Sequence, residues 1–156
     1  MAEEGMTYHQ QSIMVAEDDP DDRFLIKNAF EEIMPNLEPF FVANGEELLN
    51  RLYQASKNSS TPLPALIILD LNMPKISGHQ ALQEIKKKSE FSSIQIVVLT
   101  TSVDDEDIEF CKNNGVQSFF TKPDNFDDLL QIIKSIIGQQ GPIDSKQADT
   151  LKFSFS

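Results

Sequence analysis

The chain has 156 residues, about one domain's worth, long enough to bury roughly two thirds of the surface it exposes when unfolded. Its residues are 40% apolar and 24% charged, and 13 basic against 25 acidic side chains leave a net charge of −12; that balance disfavours binding to DNA phosphates or to an anionic membrane surface. One cysteine, Cys111, excludes an intrachain disulfide, and two histidines, His9 and His79, are too few for most histidine-metal sites.

No apolar run reaches the length of a membrane span, and Met1–Ser12 is polar and partly acidic, unlike a signal peptide, so a cytoplasmic protein is expected. In chain order, the first apolar run is Ile13–Ala16. A helix comes next behind Asp19 and Pro20, marked by Phe24, Leu25, Ala29, Ile33 and Met34. Pro39–Ala43 is a short second strand, and Leu48, Leu49, Leu52 and Tyr53 mark the second helix. A polar, proline-containing loop over Ser56–Pro64 leads to the strand Ala65–Leu69. Ser77 with Gln80 three residues on is a capping-box pattern, opening a helix marked by Ala81, Leu82 and Ile85. Ile94–Leu99 is the fourth strand, and the fourth helix runs from about Val103 to Asn114, with Gly115 ending it. Val116–Thr121 is the fifth strand, and Leu129 to Ile137 mark a last helix that stops near Gly138.

The strands are short and apolar with little alternation, as strands covered on both faces are. Five of them alternating with five helices predict an α/β, flavodoxin-like (βα)5 fold: a doubly wound, five-stranded parallel sheet in order 2-1-3-4-5. The segmentation expected is an N-terminal extension over 1–11, one domain over 12–139 and a C-terminal tail over 140–156. In that tail Phe153-Ser154-Phe155-Ser156 alternates. The pattern suits an edge strand added to a partner, although terminal disorder is the first expectation.

Polar residues interrupt the apolar runs at the strand ends: Glu17-Asp18-Asp19, Asp70 before Leu71-Asn72-Met73-Pro74, Thr100-Thr101-Ser102 and Lys122-Pro123. Open α/β sheets place their sites at these carboxyl ends, and the predicted order sets the first and third strands side by side. Asp18 and Asp70 then face each other. Two carboxylates about 4 Å apart repel by roughly 4 kcal/mol at an effective dielectric of about 20. A hard divalent cation such as Mg²⁺ relieves that repulsion, and a lysine and a threonine opposite it suit phosphoryl oxygens. A strand-end aspartate can serve as a carboxylate nucleophile. The residues thus point to metal-assisted phosphoryl transfer to an aspartate.

The segments Ile13–Pro20, Leu69–Gly78, Val98–Ser102 and Phe119–Pro123 together resemble the receiver domain of two-component response regulators, over about Ser12–Gln139. The gap from Asp18 to Asp70 is longer than in compact members of that family, and the Ser56–Pro64 loop accounts for the excess. The resemblance implies that Asp70 is the phosphoacceptor, with Thr100 and Lys122 holding the phosphoryl oxygens. It implies Mg²⁺ as cofactor, ligated by Asp18 and Asp70, by Glu17 through water, and by the backbone carbonyl of Asn72. Thr100 and Phe119 would form the switching pair, Phe119 standing where tyrosine is common and lacking its hydroxyl.

The function so implied is that of a single-domain response regulator with no effector domain. It would take its phosphoryl group from a sensor histidine kinase or histidine phosphotransfer protein. It would signal by protein contact, by onward phosphotransfer, or as a homodimer through the fourth helix, fifth strand and fifth helix. DNA and membrane are not expected partners. Its only catalysis would be its own phosphorylation and slow dephosphorylation. The long loop before the third strand is similar to that of the stand-alone regulators that partner bacterial phytochromes. A degenerate receiver, folded but unphosphorylated, is the alternative. A haloacid-dehalogenase-type enzyme would want an aspartate where Asn72 stands, and a flavin carrier a Thr/Ser/Gly-rich loop in place of Glu17–Asp19. Asp19, Asp21 and Asp22 are read as acids that favour a helix N-terminus, and His79 and Cys111 as structural or exposed.

Overall fold

The structure, a computed structural model, describes residues 13–58, 62–102, 104–138 and 153–154. The expected N-terminal extension and most of the expected tail lie outside the described residues. The elements are β1 (Ile13–Ala16), α1 (Pro20–Ile33), β2 (Phe40–Val42), α2 (Gly45–Lys57), β3 (Leu66–Leu69), α3 (Gly78–Lys86), β4 (Gln95–Thr100), α4 (Asp105–Asn113), β5 (Ser118–Thr121), α5 (Phe126–Ile137) and β6 (Phe153–Ser154). A 3₁₀ turn, Ser89–Phe91, precedes β4. Strands β1 to β5 are parallel in the order 2-1-3-4-5, as expected. The sheet has a sixth member that the expected order lacked: β6 runs antiparallel along β5, with Ser118 opposite Ser154 and Phe119 opposite Phe153. The tail thus supplies a strand to its own sheet edge.

Burial explains why the strands do not alternate in polarity. Ile13 and Val15, Leu66 and Ile68, Val97 and Leu99 face one side, against Ile26, Ala29 and Phe30 of α1 and Leu129, Ile132, Ile133 and Ile136 of α5. Met14 and Ala16, Ile67 and Leu69, Ile96 and Val98 face the other, against Leu48, Leu49 and Leu52 of α2, Ala81, Leu82 and Ile85 of α3, and Cys111 of α4. A period of two with both faces covered demands apolar residues throughout.

Helix α1 packs its expected markers Ala29, Ile33 and Met34 inward but departs from expectation at Phe24 and Leu25. Phe24 is 63% exposed and Leu25 40%, while Ile26, Ala29 and Phe30 are buried. At 100° per residue Phe24 lies on the opposite side of the helix from Ile26, so only one of the two can face the sheet. The stripe at 26, 29, 30 and 33 is the one that packs against the sheet and α5. Helix α2 also runs two residues into the stretch assigned to a loop, ending at Lys57. The caps do obey the residues. Asp19, Asn44 and Asn125 each accept a backbone N–H with the side chain, and Ser77 with Gln80 makes the reciprocal capping box.

Candidate functional site

The strand ladders continue one residue past the strands and aim the polar residues. The Glu17 N–H donates to the Val42 carbonyl (3.0 Å), the Asp70 N–H to the Ala16 carbonyl (3.1 Å) and the Lys122 N–H to the Thr100 carbonyl (2.8 Å). These bonds lock the tips of the three central strands and the loop after β5 in register. The side chains beyond them therefore converge at one end of the sheet, as an open α/β fold requires.

Carboxylate oxygens of Glu17, Asp18 and Asp70 lie within 4.8 Å of one another. Glu17 and Asp70 are buried. Lys122 closes the group: its Nζ is 2.7 Å from Glu17 Oε1, 2.7 Å from Asp22 Oδ2 and 3.1 Å from Asp70 Oδ2. Thr100, fully buried, donates from Oγ1 to Asp70 Oδ1 at 2.8 Å. Asn72 donates its backbone N–H to the same Oδ1 (3.1 Å), and its side-chain amide reaches Thr100 Oγ1 at 3.5 Å. The Asp19 N–H holds Glu17 Oε2 at 3.1 Å. Asp70 is thereby fixed from both sides, one oxygen toward Thr100 and the other toward the ammonium.

The electrostatics come from burial. Glu17 is pushed up to about 7, chiefly by loss of water and then by the charge of Asp70, against the hydrogen bond from Lys122. Burial opposes the charge on Lys122, but its bonds to Asp22 and Glu17 and the field of Asp70 outweigh this and hold the ammonium above the ordinary lysine range. Three carboxylates gathered at one spot, all oxygen donors, fit a hard divalent ion. Glu17, Asp18 and Asp70 would hold it.

The loop after Asp70 is clamped from beneath. The Gly78 N–H donates to the Leu71 carbonyl (2.9 Å), and a Cβ on Gly78 would stand 2.4 Å from the Asp70 carbonyl oxygen. Only a residue without a Cβ lets α3 approach the acceptor strand this closely. Gly45, which opens α2, is pinned to the same loop through its N–H on the Ile76 carbonyl at 3.0 Å.

Phe119, expected as half of a switching pair, is fully buried with Val98, Cys111 and Val116 among its cluster. Asp22 is the residue that sequence reading missed. Asp19 does cap α1, but Asp22 leaves that role and bonds Lys122. The signal was available in the helical period, because Asp22 and Ile26 share a stripe and Ile26 faces the sheet. Beside the bowl, Asp22, Leu25, Lys122, Pro123, Phe126 and Leu129 help line a cavity between α1 and α5. Among the described residues no helix is long and apolar enough to cross a membrane.

Comparison with known proteins converges on one family. Residues 13–134 match the response regulator receiver domain. The chain is 34% identical over 126 residues to a probable methanogenesis regulatory protein, FilR2, of Methanothrix harundinacea, covering 80% of this chain and 79% of that protein. It is 32% identical over 124 residues to the response regulator Rcp1 of Synechocystis, covering 80% and 84%. Among solved structures, the phosphorylated cyanobacterial phytochrome response regulator RcpA superposes with a TM-score of 0.74 at 35% identity, over 82% of this chain and 91% of that one. The Mn²⁺-bound form of Rcp1 gives the same TM-score at 29% identity, over 87% and 99%. This chain belongs to the response regulator receiver family.

Proposed function

We propose that this chain is a single-domain response regulator in which Asp70 accepts a phosphoryl group from a histidine kinase or phosphotransfer protein. The observation that carries the reading is the grip on Asp70: Thr100 at 2.8 Å on one oxygen and Lys122 at 3.1 Å on the other, beside Glu17 and Asp18. Asp70 attacks phosphorus in line, an O–P bond forms, the N–P bond of the phosphohistidine breaks, and the imidazole, already protonated on its other ring nitrogen, leaves neutral with the electron pair. Glu17, Asp18 and Asp70 would hold Mg²⁺, which would supply positive charge opposite the phosphoryl oxygens. Lys122 trades its contact with Asp70 for one phosphoryl oxygen, and Thr100 turns its hydroxyl to another. Catalysis is placement and charge, with no proton to be moved by the protein.

The Mg²⁺ role is supported by the hard-oxygen donor set and by the Mn²⁺-bound form of a similar protein. Access for a protein donor is supported by the exposed Phe24 and Leu25 on α1 and by the cavity beside Lys122. Output comes from a population shift in which Thr100 and the loop after it move toward the phosphoryl group and Phe119 repacks. The signal then passes by contact with another protein. A homodimer through α4, β5 and α5 is a further reading, and β6 already lies along the β5 edge of that face.

The acceptor is tested with acetyl phosphate. Wild type should acquire a base- and hydroxylamine-labile label only with Mg²⁺ present, and Asp70→Asn should lose it. A label of normal extent in Asp70→Asn would refute the assignment, and an unlabelled wild type would favour the degenerate alternative.

A further inference from the structure

The two legs of the loop that follows Asp70 are held by different helices. Gly78 of α3 holds the near leg at Leu71. The far leg is held by α2, whose first residue, Gly45, donates its N–H to the Ile76 carbonyl at 3.0 Å. A Cβ on residue 45 would stand 2.1 Å from that carbonyl oxygen and 2.8 Å from its carbon, a closer approach than at any other described glycine. Helix α2 is firmly seated. Leu48, Leu49 and Leu52 lie in the core, and Asn44 caps the first turn by accepting the Glu47 N–H.

Between Ile76 and Asn72 the backbone has little freedom. Pro74 fixes its own φ and restricts Met73 before it. Lys75 has a φ of 66°, the sole left-handed residue other than glycine among the described residues. A residue with a Cβ resists that conformation and keeps it only where its surroundings impose it. The lysine's charge does not impose it: Nζ lies 3.7 Å from Glu46 Oε1 with both side chains more than half exposed, a contact of little worth. At the other end of this stiff run, Asn72 gives its N–H to Asp70 Oδ1 at 3.1 Å, and its side-chain amide reaches Thr100. A shift at Ile76 is therefore passed on to Asn72 and not absorbed.

We infer that Gly45 is a positioning residue for the acceptor: its N–H and its missing Cβ seat Ile76, hold Lys75 in the left-handed region and, through the stiff run 73–75, set Asn72 against Asp70. Gly45 touches neither Asp70 nor the carboxylates beside it, and it acts only through the loop. The consequence for metal binding rests on the acceptor reading above, whereas the clamp itself does not. Crowding residue 45 pushes Ile76 away, moves Asn72 off Asp70 and weakens the hold on a divalent ion.

The experiment uses the full chain. In metal-free protein, Gly45→Ala should raise hydrogen exchange at the Asn72 amide about tenfold, the loss expected for one hydrogen bond. Calorimetry should show Mg²⁺ bound about tenfold more weakly, the low end for residues that orient metal ligands. Lys75→Gly inserts a soft hinge into the stiff run, so in that background Gly45→Ala should cost less than about threefold in Mg²⁺ affinity. Ala55→Gly weakens the same helix away from the loop and should leave both readouts at wild-type values, which separates positioning from lost stability. Should Gly45→Ala fail to fold, Asn44→Ala, which only loosens the first turn of α2, should move both readouts the same way by about threefold. An unchanged Asn72 amide in folded Gly45→Ala or in Asn44→Ala, an undiminished cost in the Lys75→Gly background, or equal losses in Ala55→Gly would overturn the clamp. A loosened amide with unchanged Mg²⁺ affinity would overturn the link to the metal. Failure of the acceptor reading is distinguishable: wild type then binds no Mg²⁺, and exchange at Asn72 alone decides the clamp.

Discussion

Lys122→Met removes the ammonium and keeps most of the stem, so in metal-free protein it isolates the charge that holds the acidic bowl together. Each contact of Lys122, at 2.7, 2.7 and 3.1 Å, is worth roughly 5–6 kcal/mol of Coulomb energy at an effective dielectric of about 20, before desolvation. The measurable loss is smaller, because the lysine no longer has to be buried. Breaking a buried ion pair by removing one partner costs about 3–5 kcal/mol, and Asp22 is partly exposed, so about 3 kcal/mol at pH 8 is expected. The loss must depend on pH. Glu17 titrates near 7 in the folded chain against 4.5 for the free side chain, so between those values the native state binds more protons than the unfolded one. Stability from this group is complete below about 4.5 and declines as pH rises through 7. Without Lys122 the Glu17 proton is held more tightly still, and every tenfold tightening is worth about 1.4 kcal/mol. The variant should therefore be only about 1–2 kcal/mol less stable than wild type at pH 5.5. Urea denaturation monitored by circular dichroism at the two pH values measures both numbers. A loss that is the same at pH 5.5 and pH 8, or smaller than about 1 kcal/mol at pH 8, would refute the reasoning.

Three other outcomes are expected. Mg²⁺ binding should release a proton below neutrality and strengthen as pH rises to about 7, then level off, because the ion competes with the Glu17 proton; calorimetry in two buffers of different ionisation enthalpy reads this. Gly78→Ala should cost about 2 kcal/mol and slow labelling of Asp70, because its Cβ would sit 2.4 Å from the Asp70 carbonyl oxygen; denaturation and acetyl phosphate labelling test the two parts. Cys111 is fully buried, and burial, helped by the charge of Asp107, pushes its thiol up to about 12. A thiol reagent at pH 8 should then react only in urea.

Apolar runs separated by capped helical stretches are enough to predict five strands and five helices, because a two-faced sheet needs continuous apolar strands and a helix needs its caps. The handedness of the crossovers leaves few strand orders, and 2-1-3-4-5 is the commonest of them for five strands. Glu17, Asp18, Asp70, Thr100 and Lys122 were legible because strand ends punctuate the sequence with polar residues. Helix α1 shows where such reading stops. Phe24 and Leu25 are as apolar as Ile26, and only packing on the sheet decides which face turns inward. The alternation at Phe153–Ser156 hints at an edge strand, but that it pairs with β5 of its own sheet, across a long intervening stretch, is set only by the tertiary structure.

Chain chemistry by itself determined which groups are available: oxygen donors, one ammonium, one hydroxyl and the glycine that lets a helix press on the acceptor strand. Tertiary structure alone decided who meets whom. Asp22 joins Lys122 although 100 residues separate them, and His79 joins Asp107 and Ser102 although no motif links the three. Side-chain contacts of that kind depend on how helices rotate and seat against the sheet, a result of packing the whole core at once, which no short window of residues encodes.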